Sequence, residues 1–305
     1  MPTTAAPPPP TPQLGVFAMP WAGPVSQTAP APLTSRRAGV PVSPTLAANE
    51  ALASRRLRGK PVLPLAFGEA GLPVHPRLTA ELTAAAGHGG YGPVAGIPKL
   101  RAAAAGYWAR RGLPTDPAAV VTGPGSKPLL FAALMAIGTD VAVPCPSWVS
   151  YAAQSRLIGL SPVFLPTPPG EGGICDPRAL DQAVEAAARA GRPIRAVVTT
   201  LPDNPTGRLA SPDTVRGLCA VASRHDLIII SDEIYRDLVH DTEGPFLSPA
   251  SVVPERTVVT TALSKSLALG GWRIGAARMP DGPLGPAIAE RLLGIGSEIW
   301  SAPAA

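Results

Sequence analysis

Short apolar runs alternate with helical segments through the middle of the chain, and this order limits the folds open to it. Runs with strand character cover residues 120–122, 140–143, 195–200, 227–231 and 257–261. Helical patterns between or before them cover residues 99–111, 128–137 and 177–190. Strands that alternate with helices are typical of a mostly parallel sheet with helices on both faces. We therefore predict an α/β fold built on such a sheet.

The N-terminal part of the chain has a different composition. Residues 1–42 contain Pro7-Pro8-Pro9-Pro10 and many further Pro, Ala and Thr residues without a hydrophobic period, which predicts a disordered Pro/Ala-rich tail. Ser43-Pro44-Thr45 is typical of a helix start, because proline is tolerated in the first turn. We assign residues 43–75 to an N-terminal segment and residues 76–305 to the main domain.

Size and charge exclude several classes of protein. A chain of 305 residues with 46% hydrophobic content can bury a large core. The net charge is +5, but the clearest basic cluster, at residues 55–60, fits a solvated helix face better than a nucleic-acid site. No apolar run approaches the ~20 residues of a membrane span. We expect a cytoplasmic protein that binds neither nucleic acid nor a membrane.

Cysteine and histidine spacing predicts neither disulfides nor a metal site. The three cysteines are far apart and form no paired or metal-ligand pattern, which favours a reducing compartment. The four histidines have no ligand spacing either.

Polar residues follow three of the predicted strands. Asn204, Asp232 and Lys265 each come shortly after the end of an apolar run. Open α/β sheets bind ligands at the carboxyl ends of their strands. We therefore expect these three side chains to meet at one edge of the sheet.

The types of these residues point to one kind of chemistry. Lys265 is one of only four lysines, and an amine can form a Schiff base with an aldehyde, whereas an arginine stays protonated. A carboxylate such as Asp232 can keep a pyridine nitrogen protonated. Asn204 and Tyr235 can hydrogen-bond a phenolic oxygen, and Arg273 can bind a phosphate. The set predicts a pyridoxal 5'-phosphate site with Lys265 as the catalytic residue.

A glycine turn and a tryptophan add to this site. Gly123-Pro124-Gly125 follows the first apolar run, and Ser126 and Lys127 begin the next helical segment. Backbone N–H groups at a helix start bind anions, and glycine permits close approach. Trp148 follows the next strand, and its ring can stack on a flat cofactor. We predict that Gly125, Ser126, Lys127 and Trp148 contact the cofactor.

Further motifs occur in a fixed order from about residue 49 to residue 305. They are Phe67-Gly68-Glu69, Tyr91-Gly92-Pro93-Val94-Ala95-Gly96-Ile97-Pro98-Lys99-Leu100-Arg101, Pro146-Ser147-Trp148-Val149-Ser150-Tyr151, Asn204-Pro205-Thr206-Gly207, Ser231-Asp232-Glu233-Ile234-Tyr235, Ser264-Lys265 and Gly271-Trp272-Arg273-Ile274-Gly275. With these motifs the chain resembles the class I/II aminotransferases of the aspartate aminotransferase superfamily, fold type I.

The resemblance implies a fold, an activity and an assembly. The fold would be a three-layer α/β/α sandwich with a mostly parallel mixed sheet, the large domain of fold type I pyridoxal phosphate enzymes. The activity would be transfer of an amino group between an L-amino acid and a 2-oxo acid. The assembly would be a homodimer, in which Tyr91 reaches the phosphate bound by the neighbouring subunit.

The resemblance also assigns roles to individual residues. It implies that Lys265 forms the Schiff base, with Ser264 beside it in the cofactor site. It implies that Gly68, Trp148 and Asn204 approach the α-carboxylate of the substrate.

Two departures from the family pattern leave the function open. Many relatives carry Ser or Thr where this chain has Ala262, so one phosphate contact is expected to be missing. Members of the family also continue into a small domain, which supplies an arginine that binds the substrate carboxylate. The resemblance implies that residues 43–75 normally pack near this small domain. We expect the small domain to be absent from the chain. A carbon–sulfur β-lyase on the same fold and a non-catalytic cofactor-binding or scaffold protein therefore stay as alternatives to an aminotransferase.

Overall fold

The computed structural model describes residues 42–65, 68–240 and 244–300. Three helices come first, and helices then alternate with strands from the first strand to the fifth. The helices are α1 Pro44–Leu57, α2 Pro76–Ala85, α3 Pro98–Ala109, α4 Ser126–Ile137, α5 Val149–Leu157, α6 Pro177–Arg189, α7 Pro212–Arg224 and α8 Leu284–Ile299. The strands are β1 Val120–Gly123, β2 Asp140–Cys145, β3 Pro162–Pro166, β4 Ile194–Thr200, β5 Ile228–Asp232, β6 Thr257–Ala262 and β7 Gly275–Arg278. The predicted tail, residues 1–42, lies outside the described residues apart from its last residue.

Proline sets the start of five of these helices, α1, α2, α3, α6 and α7. Proline suits the first helical position because the N–H that it lacks would have no partner there. Side chains cap three of the starts: His75 accepts from the Arg77 N–H at 3.2 Å, Asp176 accepts from the Ala179 N–H at 2.9 Å, and Ser211 accepts from the Thr214 N–H at 3.2 Å. The helix predicted after Ser43 is confirmed as α1.

The sheet is mixed and mostly parallel, as predicted. Its strand order is β1-β7-β6-β5-β4-β2-β3. Strand β7 runs antiparallel to both of its neighbours, β1 and β6, and the remaining pairs are parallel. The ends of β4, β5 and β6 therefore lie side by side at one edge.

Two strands were not predicted. Strand β3 begins and ends with proline, which an edge strand tolerates because it has a side without a ladder partner. Strand β7 has the sequence Gly-Ala-Ala-Arg, which has low strand propensity. Its place between β1 and β6 makes it a strand, so tertiary pairing overrides local preference.

Alternate side chains of the central strands enter different cores. Val197 and Ile229 pack with α6 and α7, whereas Val198 and Ile230 pack with α4, α5 and α8. A third cluster surrounds the fully buried Trp108 of α3. Helices thus cover both faces of the sheet, and the three-layer sandwich is confirmed. No helix in the described ranges has the length and apolar character that crossing a membrane requires.

Candidate active site

The ends of three neighbouring strands bring the predicted polar residues together. Asp232 is the last residue of β5, and the strand register places it between Thr200 of β4 and Thr260 of β6. Asn204 follows β4 and Lys265 follows β6. These residues meet at the carboxyl edge of the parallel strands, where open α/β sheets bind ligands.

Lys265 lies half-buried in the turn after β6. Its Nζ donates to the backbone carbonyl of Gly68 and lies 5.7 Å from the centre of the Tyr235 ring. Burial lowers the pKa of Lys265, and Arg273 lowers it further, while Glu69 and Asp232 act in the opposite direction. Because only a neutral amine attacks an aldehyde, a lowered pKa favours that reaction.

Asp232 is a buried carboxylate with hydrogen-bond donors on both oxygens. Only 3% of the residue is exposed. Tyr151 Oη donates to Oδ2 at 2.9 Å, and Thr260 Oγ1 donates to Oδ1 at 3.3 Å. Burial raises the pKa of Asp232 to about 6, although the hydrogen bond from Tyr151 opposes this rise. The carboxylate is therefore ionised at neutral pH and can hold a cationic N–H group.

Asn204 and Tyr235 form a second polar pair at this edge. Asn204 Nδ2 donates to Tyr235 Oη at 3.4 Å. Burial raises the pKa of Tyr235, and the negative charge of Asp232 raises it further. The tyrosine therefore keeps its proton and can donate it to an anionic oxygen. A cavity of about 330 Å³ lies beside the pair, with Leu238 and His240 also in its wall.

The glycine turn after β1 has the form of an anion cradle. Gly125 has φ +93° and immediately precedes α4, whose first residue is the buried Ser126. A Cβ atom on Gly125 would overlap the guanidinium of Arg273, and one on Gly275 would overlap the backbone of Gly125. Two glycines and one arginine thus lie at the N-terminus of a 12-residue helix, whose first N–H groups point to any bound anion.

Arg273 is fixed over this turn. The residue is in the left-handed region, with φ 56°. Its Nη1 donates to the carbonyl of Gly270 at 2.9 Å, and its Nη2 donates to the carbonyl of Pro124 at 3.1 Å. The contact between Arg273 and an anion at Gly125 stays a prediction.

Lys127 and Trp148 lie together beside the cradle. Lys127 Nζ is 5.0 Å from the centre of the Trp148 ring. Trp148 precedes α5 and packs edge-on against Tyr151, with ring centres 5.3 Å apart. Burial lowers the pKa of Lys127, and the charge of Arg273 lowers it further. Positive charge is thus concentrated at this end of the site.

Two predicted residues, Tyr91 and Ser264, make no side-chain hydrogen bond within the described part of the chain. Tyr91 is 97% exposed, so its predicted role toward a neighbouring subunit stays a prediction. Ser264 lies in the turn after β6, directly before Lys265, and its hydroxyl makes no hydrogen bond to another of the described residues.

Sequence reasoning missed the partners of Asp232. Tyr151 is 1% exposed, and its hydroxyl lies 2.7 Å from Thr200 Oγ1 as well as 2.9 Å from Asp232. The Tyr151 hydroxyl has one proton, which it donates in the hydrogen bond to Asp232. In the hydrogen bond between Tyr151 and Thr200, Thr200 is therefore the donor. Tyr151 belongs to one of the family motifs, but its role depends on how α5 packs on the sheet, which local sequence does not reveal.

A cluster on the helical surface also contains potential metal ligands. Asp181, Glu185 and His225 place their ligand atoms within 4.8 Å of one another. However, Asp181 Oδ1 already accepts from Arg224 at 2.7 Å and pairs with His225 Nε2 at 2.6 Å. The hydrogen bond from His225 is the main cause of a lowered pKa of Asp181. The cluster is therefore an ion-pair network.

A family model for class I and II aminotransferases matches residues 63–305. The chain belongs to this family. Membership agrees with the site, because the motifs that carry Asn204, Asp232, Lys265 and Arg273 all fall within the matched range. It also confirms the resemblance that the sequence motifs indicate.

Individual members of the family are similar over most of the chain. A probable aspartate/prephenate aminotransferase of Thermus aquaticus is 33% identical over 89% of this chain and 69% of the relative. The aspartate/prephenate aminotransferase of Thermus thermophilus is 35% identical over 81% of this chain and 64% of the relative. The chain therefore spans about two thirds of the length of these aminotransferases.

A solved structure supports the same conclusion for the fold. The structure of aspartate aminotransferase from Thermus thermophilus with maleate superimposes with a TM-score of 0.80 at 32% identity, covering 88% of this chain and 69% of that one. The fold type I sandwich is thereby confirmed for this member of the aminotransferase family.

Proposed function

We propose that this chain binds pyridoxal 5'-phosphate through Lys265 and, as part of the whole protein, moves an amino group between an L-amino acid and a 2-oxo acid. The observation that carries the proposal is the meeting of an amine, a buried carboxylate and an anion cradle at one edge of the sheet. Asp232, Lys265 and Gly125 with Arg273 supply these three parts. Each part matches one functional group of the cofactor.

The donor set fits the cofactor group by group. Lys265 would hold the aldehyde carbon, and Asp232 would hold the protonated ring nitrogen. Asn204 and Tyr235 would hold the phenolic oxygen. The phosphate would bind at the cradle of Gly125, Ser126, Lys127 and Arg273. Trp148 would lie beside the ring, and Ser264 would lie beside the phosphate. When bound, pyridoxal phosphate supplies an electron sink for charge that develops at the substrate α-carbon.

The side chains of the chain would then position the substrate and move its protons. Lys265 Nζ would serve as the base that takes the proton from the substrate α-carbon. The ionised Asp232 would keep the proton on the ring nitrogen throughout. Gly68, Trp148 and Asn204 would contact the substrate α-carboxylate, and the cavity beside Asn204 and Tyr235 offers space for the substrate.

Aspartate is our proposed amino donor. The proposal is supported by the names of the relatives, which include aspartate/prephenate aminotransferases of two Thermus species and an aspartate aminotransferase of Geobacillus stearothermophilus. We further propose a homodimer in the cytoplasm, in which Tyr91 of one subunit would reach the phosphate bound by its partner.

The direct test of cofactor binding is chemical labelling. Pyridoxal phosphate is added to the purified chain, its visible absorption is recorded, and the adduct is reduced with borohydride and mapped by peptide mass. We expect one label on Lys265, and none in Lys265→Ala, while Lys99→Ala at an exposed position labels normally. A label on another lysine, or none on the folded wild type, would refute the assignment.

Turnover is tested with a panel of amino acids and 2-oxo acids. Formation of the matching 2-oxo acid from aspartate would support the proposed donor. Release of pyruvate and ammonia from a cysteine conjugate would instead identify a β-lyase.

A further inference from the structure

Glu233, directly after Asp232, is a buried carboxylate that the proposed reaction does not use. It is 1% exposed. Its Oε1 accepts from Ser231 Oγ at 3.2 Å and from Ser248 Oγ, and its Oε2 accepts from Arg236 Nη1 at 3.1 Å. Arg236 is the cationic partner of Glu233 and compensates its charge. An uncompensated charge is strongly disfavoured at a buried position.

Arg236 ties this carboxylate to another part of the fold. Its side chain is only 12% exposed, and its guanidinium lies 4.6 Å from the centre of the Phe246 ring. Its second terminal nitrogen donates to the carbonyl of Arg111, just beyond α3, at 2.9 Å. Arg111 in turn pairs with Asp237 at 2.7 Å. The turn after β5 is therefore attached to the end of α3 at two consecutive residues.

Tyr235 lies inside the turn that these contacts close. The backbone N–H of Arg236 donates to the Glu233 carbonyl at 3.1 Å, and that of Leu238 donates to the Tyr235 carbonyl at 2.8 Å. The Glu233–Arg236 ion pair spans the same turn with side chains. Tyr235 therefore has its backbone fixed on both sides, while its hydroxyl faces Asn204. Supporting contacts of this kind hold a binding residue in its productive geometry.

We propose that Glu233, acting through Arg236, is a positioning residue that fixes Tyr235 for its hydrogen bond to the phenolic oxygen of the cofactor. This inference rests on the proposed function. A purely structural ion pair would stabilise the fold without any specific relation to Tyr235. The two roles differ in whether the effect of removing Glu233 depends on the tyrosine hydroxyl.

A double-mutant cycle measures that dependence. Glu233→Gln, Tyr235→Phe and the double variant of the full chain are titrated with pyridoxal phosphate. We expect Glu233→Gln to weaken cofactor binding about tenfold in the wild-type background and less than about twofold when the hydroxyl is already gone. The pH midpoint of the bound chromophore should rise in both Glu233→Gln and Tyr235→Phe, because an anionic oxygen that loses a donor binds its proton more tightly.

Controls separate this effect from general destabilisation. Glu185→Gln makes the same change at an exposed ion pair with Arg189, and it should leave affinity and pH midpoint unchanged. Unfolding midpoints are recorded for every variant. If Glu233→Gln does not fold, Arg236→Lys takes its place, because it keeps the charge beside Glu233 but loses the hydrogen bond to the Arg111 carbonyl.

The measured affinities distinguish a positioning role from a purely structural one. The inference is supported if Glu233→Gln lowers cofactor affinity only in the background that retains the Tyr235 hydroxyl. An equal loss of affinity in both backgrounds, or an unshifted chromophore, overturns the positioning role and leaves the proposed function intact. Failure of the folded wild type to bind pyridoxal phosphate overturns the proposed function, and the positioning role with it.

Discussion

At the scale of single residues, the proton affinity of Asp232 depends on two opposing contributions. Burial disfavours the charged carboxylate and raises its pKa to about 6, while hydrogen bonds from Tyr151 and Thr260 favour the charge. Of the charged groups nearby, Glu233 raises this pKa, whereas the Lys265 ammonium is attracted to the carboxylate. Because the folded pKa is raised, Asp232 stabilises the cofactor-free fold below about pH 4, and this stabilisation is lost as pH rises through about 6.

Tyr151→Phe should raise the pKa of Asp232 above that value. The change removes the donor at 2.9 Å and leaves the carboxylate buried, so the ionised form loses stabilisation. Carboxyl NMR of the cofactor-free protein measures this pKa directly. Tyr107→Phe is the control, since that hydroxyl interacts with Thr261 and Asp237 instead. A pKa that is equal in wild type and Tyr151→Phe would contradict the assigned role.

At the scale of elements, the turn between β1 and α4 joins the anion cradle, the proposed phosphate site, to the sheet. A Cβ atom at position 125 would overlap the Arg273 side chain, and φ +93° there also favours glycine. A Cβ atom at position 275 of β7 would overlap the backbone of Gly125. The cradle thus depends on β7, the strand that local sequence did not predict.

Gly125→Ala should weaken pyridoxal phosphate binding at least about tenfold, because the new methyl group displaces Arg273 from the proposed phosphate position. Gly112→Ala is a matched control: Gly112 also has positive φ, +74°, but a Cβ there meets nothing within 4 Å. Both variants should lose stability from backbone strain, and Gly125→Ala should lose about 1–3 kcal/mol, because its φ of 93° and ψ of 169° lie in a region that is essentially confined to glycine. Only Gly125→Ala should lose cofactor affinity in a titration, and equal affinities for the two variants would argue against the cradle.

At the scale of the whole molecule, the first two helices add no residue to the core. Neither α1 nor α2 contains a buried residue. Large apolar side chains nearby are also exposed, and they include Leu57 (89%), Leu63 (73%), Leu65 (81%) and Leu72 (68%). Such a concentration of exposed apolar groups is typical of a surface that a partner subunit or a further domain covers. These leucines lie in residues 43–75, the segment that family members pack near their small domain, and the proposed homodimer is tested by changing them.

Replacing Leu63 and Leu65 together with Asp should shift the protein toward monomer in sedimentation experiments, because a charge at a dimer interface must be desolvated. Circular dichroism should stay unchanged, since both side chains lie outside the core. Phe164→Asp, at a 47% exposed position on the edge strand β3, should leave the association state as it is. A wild-type protein that is monomeric at micromolar concentration would refute the dimer.

The sequence by itself determined the alternation of strands and helices, the start of α1, and the placement of Asn204, Asp232 and Lys265 past strand ends. These features follow from local patterns, because apolar periodicity, proline and strand ends are properties of neighbouring residues. Their gathering at one edge followed from the geometry of parallel strands.

Only the tertiary structure decided which groups surround those residues. The register of β4, β5 and β6 places Thr200 and Thr260 beside Asp232, and the packing of α5 brings Tyr151 to the same carboxylate. The contact of Arg236 with the end of α3 joins residues 125 positions apart. Such contacts depend on how distant elements pack, and no local pattern of side chains specifies them.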